Sequence, residues 1–386
     1  MESNSRYVES VSGSPMSTLF TIPDAPPVTN GQLASALLAL SAAEKGERPR
    51  TELRAAAWTL RQLPEELFGR RVRLTGLPHV SARAADAIGA FLACGSDESV
   101  EDRVTAILDR ADPARHRKSH FLTCADVDRV LKPAPGQADG SPLSPTDVRG
   151  DLHLHTNRSD GKDPLESLHR SLASRGDRFA LLTDHARDCA VAGGLFPGDF
   201  AAQRVEVDRL NDRSDGEFRM FLGAEANIDA DGGIDVTPRS VPVLDAVIAS
   251  IHTELRSRSD QTERLVRAIR TPGVAILGHP RGRLYDLRSG IRASWERVFA
   301  VAAEEGVAIE LNGCPERCDL DPKLAALALA AGCRFSIASD AHARHHLDFL
   351  RFSIAIARLA RIPPDRVVNT YSAERLGEWL ARQRER

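Results

Sequence analysis

The chain has 386 residues, 42% of them hydrophobic and 27% charged, with a formal net charge of −3. Such values belong to a folded globular protein and exclude a disordered, collagen-like or membrane-spanning chain. The near-neutral charge offers no whole-molecule attraction to nucleic acid or an anionic membrane, and six scattered cysteines make no disulfide framework.

Residues 1–28 are rich in Ser and Pro, lack an export-type apolar stretch, and read as a loose tail, so the cytoplasm is the expected location. From 29 to about 110 the pattern is helical, with Ala/Leu-rich segments at 33–43, 51–63 and 82–92 broken by Gly46, Pro49, Pro64, Gly76 and Pro78. Residues 111–148 hold five prolines and read as a linker with one short helix near 125–131. From 149 to 386 short apolar runs alternate with amphipathic stretches. The runs lie at 179–182, 220–222, 246–251, 274–277, 307–311 and 335–338. Helices are expected at 165–174 and 323–331, each opened by Asp-Pro, and at 294–305, stopped by Gly306. This alternation predicts parallel strands with crossover helices, an α/β sheet or barrel.

Metal-ligating side chains follow one apolar run after another. The first strand carries His153 and His155, two apart and therefore on one face. The later runs are followed by Asp184 and His185, by Glu225, by His252, by His279, by Asn312, and by Asp340 and His342. In a parallel β/α barrel these positions share the carboxyl rim, where active sites are built. Imidazoles and carboxylates without thiolates suit zinc, manganese or iron. Cys314 and Cys318 lack a second pair and do not make a zinc site. Nine donors suit two or three ions with a bridging carboxylate, and clustered divalent ions point to phosphoester hydrolysis, with amide or C–N hydrolysis as the chemical competitor. His169, His345 and His346 are expected to be capped or solvated.

Residues 149–384 resemble the PHP (polymerase and histidinol phosphatase) domain, most closely the version at the C-terminus of bacterial family X DNA polymerases. The resemblance is carried in order by Asp151-Leu-His-Leu-His-Thr156 with Ser159-Asp160-Gly161, Thr183-Asp184-His185, Val191-Ala-Gly-Gly-Leu195 and Gly223-Ala-Glu225. Ser250-Ile-His252, Gly278-His-Pro280 with Gly282-Arg283, Glu310-Leu-Asn312 and Ser339-Asp-Ala-His342 complete it. It implies a distorted (β/α)7 barrel preceded by a small all-α N-terminal domain, and up to three ions of Mn, Zn or Fe. By position, one ion takes His153, His155, Glu225 and Asp340. A second shares Glu225 and adds His252 and His279, and a third takes Asp160, His185 and His342. Asp151 and Asp184 are expected to orient ligating imidazoles. Glu225, Asp340, Arg283 and Asn312 are expected to act most directly in hydrolysis. Arg281, Arg283 and Arg344 would neutralise phosphate charge, Asn312 would meet the substrate or orient a ligand, and the loop from Cys314 to Asp319 would shape specificity.

The helical unit at 29–110 resembles the 8 kDa DNA-binding domain of the same polymerases, through its helix at 54–63, Leu63-Pro-Glu65 and Leu74-Thr-Gly-Leu-Pro78. It departs from that pattern at His79-Val80-Ser81, where the family places a Gly-x-Gly hairpin. With 11 basic and 11 acidic residues between Asn30 and Arg110, DNA binding stands beside a purely packing role. Lys45 is its only lysine, which gives little support for Schiff-base chemistry. The linker is too short for a polymerase palm, which excludes DNA synthesis. The expected function is a metal-dependent phosphoesterase, acting as a 3′–5′ exonuclease or abasic-site nuclease in DNA repair. A small-molecule phosphatase of the histidinol-phosphatase type and a non-catalytic metal protein are the alternatives. The expected partner is the phosphate-ester substrate, with no membrane.

Overall fold

The computed structural model describes residues 29–67, 73–92, 122–132, 142–186, 193–284 and 288–386. The tail predicted at 1–28, residues 111–121 and 133–141 of the predicted linker, and Val191 and Ala192 lie outside them. The chain divides into two compact units, Met1–Arg129 and Val130–Arg386.

Among its described residues the first unit is helical, with α1 (Asn30–Ala43), α2 (Glu47–Gln62), α3 (Ala82–Leu92) and most of α4 (Cys124–Leu131). Thr29 and Gln32 cap α1 reciprocally, each side chain accepting from the other's backbone N–H. Asn30 is fully buried and pins the segment after α2: its Nδ2 donates to the Glu65 carbonyl at 2.8 Å and its Oδ1 accepts from Leu67 N at 2.9 Å. At the predicted hairpin, His79 adopts φ 57°, a left-handed conformation that glycine takes more freely.

The second unit begins with β1 (Gly150–Leu154), α5 (Leu165–Arg175), β2 (Phe179–Leu182), α6 (Pro197–Arg213), β3 (Arg219–Asn227) and β4 (Ala246–Ser250). There follow α7 (Thr262–Arg270), β5 (Val274–Gly278), α8 (Trp295–Glu305), β6 (Ala308–Asn312), α9 (Pro322–Ala330) and β7 (Phe335–Ala338). The last two helices are α10 (Leu350–Leu359) and α11 (Ala373–Glu385). All seven strands are parallel and lie in sequence order. Gly176 (φ 92°) and Gly306 (φ 69°) end α5 and α8 in the left-handed conformation. Asp321 caps α9, accepting from Lys323 N and Leu324 N. Asp163 does not cap α5 as its sequence suggests; its carboxylate is taken by Arg344, through the backbone N at 2.8 Å and Nε at 2.7 Å.

The sheet curls until β1 meets β7, giving the distorted (β/α)7 barrel. One bridge, Leu154 to Ala341, joins their carboxyl ends, with His155 N donating to Ala341 O at 2.9 Å. Lower down, Asn369 replaces a strand ladder. Its Nδ2 donates to the carbonyls of Gly150 and Ile337, both at 2.8 Å, and its Oδ1 accepts from Ile337 N at 2.7 Å. An apolar cluster drawn from the amino-terminal parts of six strands (Leu152, Phe179, Phe221, Ala246, Ala275 and Ala308 among them) packs against Trp379 and Leu380 of α11. One end of the barrel is thus dry, and the polar donors are left to the other. Among the described residues no helix is long and apolar enough to cross a membrane.

Replacing Asn369 by Leu removes three buried hydrogen bonds and orphans strand-edge groups. At about 1 kcal/mol per bond this costs about 3 kcal/mol, and it is expected to lower the melting temperature by roughly 6–12 °C. A differential scanning measurement showing no shift would refute the seam role.

Candidate metal centre

The nine expected ligands converge at the carboxyl ends of the strands. Glu225, 1% exposed, stands in the middle near the end of β3. Its Oε2 lies 3.3 Å from His153 Nε2, 3.5 Å from His155 Nε2 and 3.1 Å from His185 Nδ1. Its Oε1 lies 2.8 Å from His279 Nε2 and 3.3 Å from His252 Nε2. Asp340 closes the first group, with Oδ1 at 3.3 Å from His155 Nε2 and 3.8 Å from His153 Nε2. Asp160 Oδ2 lies 3.3 Å from His342 Nε2 and 3.5 Å from His185 Nε2. The pockets share walls: His155 Nδ1 is 3.8 Å from Asp160 Oδ1, and the His155 ring sits 4.2 Å from that of His342.

These separations have a physical reading. Two donors each about 2.1 Å from a tetrahedral ion lie about 3.4 Å apart, and most of the distances around Glu225 Oε2, Asp340 and Asp160 are of that size. His279 and Glu225 are closer, at hydrogen-bond distance. Among the described residues, His153 Nε2 and both ring nitrogens of His155 are buried with no hydrogen-bond partner. Orphaned buried nitrogens are costly unless something binds them. The donor set therefore fits clustered divalent cations, and three overlapping groups of His, Asp and Glu are placed to hold them.

The charges are mutually set. Burial lowers the pKa of His155 to about 3, helped by His342 and His185, so its ring is neutral and ready to ligate. Burial opposes charge on His153, but Glu310, Glu225 and Asp340 outweigh it and raise its pKa well above the usual histidine range. Burial would lift Glu225, yet His185, His153 and His252 hold it well below the usual carboxylate range. Asp340 is held down likewise, by His153, His155 and Arg317. Two donors sit on left-handed backbone, His279 at φ 22° and Asp340 at φ 55°.

The supporting groups differ from expectation. Asp151 and Asp184 do not hold imidazole rings. Asp184 accepts from Thr156 N (2.7 Å), Thr156 Oγ1, Ser159 Oγ and Gln203 Nε2 (each 2.6 Å), and so fixes the loop leading to Asp160. Asp151 Oδ1 accepts from Ser339 N at 3.0 Å, beside Asp340; burial raises its pKa to about 6. The ring-orienting acid is Glu310, whose Oε1 lies 2.6 Å from His153 Nδ1 while Oε2 accepts from His279 N at 2.5 Å. Asn227, also unassigned from sequence, sits 2.5 Å from His252 Nδ1.

The arginines sort differently too. Arg283 is buried and donates to the carbonyls of Arg317 (3.1 Å) and Cys318, bracing the loop after β6. Arg281 pairs with Asp321 at 3.0 Å, and Arg344 with Asp163. Asn312 is fully buried and donates to Asp340 Oδ2 at 3.1 Å and Glu310 Oε2 at 3.2 Å, holding two acids in place. Among the described residues Arg317 brings a guanidinium beside the centre, its Nε 3.2 Å from Asp340 Oδ2. His346 stacks on Phe349 and His169 packs edge-on against Phe218.

No family model matches the chain. The DNA polymerase/3′-5′ exonuclease PolX of Bacillus subtilis is 30% identical over 236 residues, which is 61% of this chain but only 41% of that protein. A probable phosphatase of Caldanaerobacter subterraneus is 32% identical over 253 residues, 61% of this chain and 92% of the relative. The solved histidinol phosphate phosphatase of Lactococcus lactis, complexed with zinc, L-histidinol and phosphate, has a TM-score of 0.41 at 15% identity. It covers 53% of this chain and 92% of that one. Barrel and donor set define the class, a β/α-barrel metal-dependent hydrolase. Within that class the chain belongs to the PHP family.

Two outcomes are expected. Glu310→Gln leaves the fold intact but lowers metal affinity roughly 10–100-fold, read by equilibrium dialysis with elemental analysis; unchanged affinity would remove Glu310 from its orienting role. Because the pKa values of His153 and His342 are raised, protons compete for these rings as pH falls. Apparent affinity for zinc or manganese is therefore full above those values and drops below them. Dialysis between about pH 5 and pH 9 checks this, and a flat profile contradicts it.

Proposed function

We propose that this barrel rim hydrolyses a phosphate ester, with two or three divalent cations of Mn, Zn or Fe shared among its nine donors. The observation that carries the reading is the buried Glu225 carboxylate, faced on one oxygen by His153, His155 and His185 and on the other by His252 and His279. These residues would hold cations whose chemistry, when bound, would be to offset charge on the phosphoryl oxygens and to acidify water.

The chain's own groups set the stage. Glu225 spans neighbouring pockets and fixes their spacing. Asp340 divides its oxygens, Oδ1 toward the imidazoles and Oδ2 toward Asn312 and Arg317. The Arg317 side chain is only 19% exposed and makes no hydrogen bond to a described residue. Its Nε is paired with Asp340, and its two Nη groups remain to meet a ligand, for which a phosphoryl oxygen is well suited. Arg283 positions that residue by holding the Arg317 carbonyl.

Two substrates fit this chemistry. A small phosphate monoester is favoured by the probable phosphatase, matched over 92% of its length. A DNA 3′ end or abasic site is supported by the polymerase relative, whose name includes a 3′-5′ exonuclease and which is matched over 41% of its length.

The test is elemental analysis of purified protein, then parallel assays of the Mn-, Zn- and Fe-loaded forms on p-nitrophenyl phosphate, histidinol phosphate, 3′-recessed DNA and abasic DNA. At least one is hydrolysed, and Asp340→Asn and His155→Ala each lower kcat/KM by roughly 10²-fold or more. Absence of turnover in every loaded form would leave a metal-containing binding protein instead.

A further inference from the structure

After β3 the chain doubles back as a short hairpin, and the return leg brings Asp235 opposite Asn227. Ile228 and Ile234 bridge the two legs, Asp229 N donates to Gly233 O at 2.9 Å, and Asp235 N donates to Asn227 O at 3.3 Å. The turn is tied from within, where Asp229 Oδ1 accepts from Asp231 N at 2.9 Å and Gly233 N at 2.7 Å. It is tied from outside by Arg264 of α7, whose guanidinium donates to the carbonyls of Ile228 and Asp229. The same guanidinium donates to Thr253 O at 3.2 Å and Thr253 Oγ1 at 2.9 Å, on the loop that carries His252. Hairpin and loop are thereby clamped to one helix.

A run of hydrogen bonds crosses the hairpin toward the metal centre. Asp235 Oδ1 accepts from Asn227 N at 2.9 Å, and Oδ2 accepts from Asn227 Nδ2 at 2.7 Å. Asn227 Oδ1 lies 2.5 Å from His252 Nδ1, and His252 Nε2 lies 3.3 Å from Glu225 Oε1. Each link dictates the next. An ionised carboxylate only accepts, so the Asn227 amide must turn Nδ2 to Asp235 and Oδ1 to the ring. A carbonyl oxygen also only accepts, so the His252 ring must carry its proton on Nδ1. The Nε2 lone pair is then left facing Glu225, within the group of His185, Glu225 and His252 that is placed to hold a cation.

We propose that Asp235 is a positioning residue for the metal centre: through the Asn227 amide it sets the His252 tautomer that offers Nε2 to a cation. The inference deepens the phosphoesterase reading and rests only on its cations. In Asp235→Asn, the new amide keeps its oxygen on Asn227 N and turns an N–H toward the Asn227 side chain. The Asn227 amide then flips, its Nδ2 faces the ring, and the ring proton moves to Nε2, where it competes with the cation. Adding Asn227→Asp restores the pattern with the roles exchanged, because the carboxylate at 227 accepts both from the amide at 235 and from His252 Nδ1–H.

The experiment compares the full chain as wild type, Asp235→Asn and the double exchange, zinc-loaded and after chelation. Long-range proton–nitrogen NMR reads the His252 tautomer, with its signals assigned by their loss in His252→Gln. Equilibrium dialysis with elemental analysis reads bound zinc. The ring proton is expected on Nδ1 in wild type, on Nε2 in chelated Asp235→Asn, and on Nδ1 again in the double exchange. Zinc affinity at one position is expected to fall roughly tenfold in the single variant and to recover in the double. One tautomer in all three proteins, whatever their melting temperatures, would overturn the proposal. Zinc affinity lost in the single variant and not regained in the double would overturn it too, since a merely structural hairpin predicts that result. A wild type that binds neither zinc nor manganese, but whose tautomer still reverses and returns, would overturn the cation reading and leave the role of Asp235 on His252 standing.

Discussion

Everything at the carboxyl end of this barrel depends on one buried carboxylate among many imidazoles. Glu225 is almost wholly removed from water, and an isolated carboxylate in such a place would take up a proton rather than stay charged. It stays charged because five rings approach its two oxygens. The rings in turn cannot all be protonated side by side: His155 is held neutral by burial and by its histidine neighbours. The cluster is satisfied neither by protons nor by hydrogen bonds among its own members, since His153 and His155 keep orphaned nitrogens. A centre so composed is suited to cations, which would supply the positive charge without needing a proton on every ring.

The barrel makes this arrangement affordable by separating its two ends. The amino end is filled by strand side chains and by Trp379 and Leu380, so the sheet has an apolar core of its own. Closure uses few contacts: a single bridge near the rim and the Asn369 side chain below it. With so little ladder between β1 and β7, the donors at the carboxyl ends of those strands (His153 and His155 on one side, Asp340 and His342 on the other) approach across the seam.

Much of the centre was legible in the sequence because ligand-bearing strand ends repeat. His153 and His155 share a face by simple alternation, and each later donor except Asp160, which sits in a turn after the first strand, comes soon after an apolar run. The order of strands adds nothing new, since each lies beside the next. The arginines and supporting acids were less legible. Arg283 stands nearer a donor-bearing turn than Arg317, and proximity in sequence favoured it. Which guanidinium reaches Asp340 is decided by the path of the loop after β6, which Arg283 itself shapes by binding the carbonyls of Arg317 and Cys318. Glu310 lies in a recognisable segment, but its grip on His153 and His279 exists only because β6 adjoins β5 and the barrel brings β1 within reach. The longer extent of β3 was hidden for a similar reason. Residues 219–222 pair with β2 and 223–227 with β4, so the strand continues past its apolar run into Glu225.

The buried acids around the centre share a purpose that their residue type does not disclose. Asp151 holds the N–H of Ser339, Asp184 holds that of Thr156, and Glu310 holds that of His279. Each grips the backbone within a few residues of a metal donor. The need is plain at His279 and Asp340, whose left-handed backbone costs on the order of 1–3 kcal/mol. Glycine would accept those conformations without strain but would bring no donor. A carboxylate accepting a backbone N–H offsets part of that cost, and Asn312 adds a second hold on Asp340 through Oδ2. The strain and the acids that oppose it are therefore two halves of one device: the chain must turn sharply at the strand end to aim a donor inward, and buried carboxylates keep it turned.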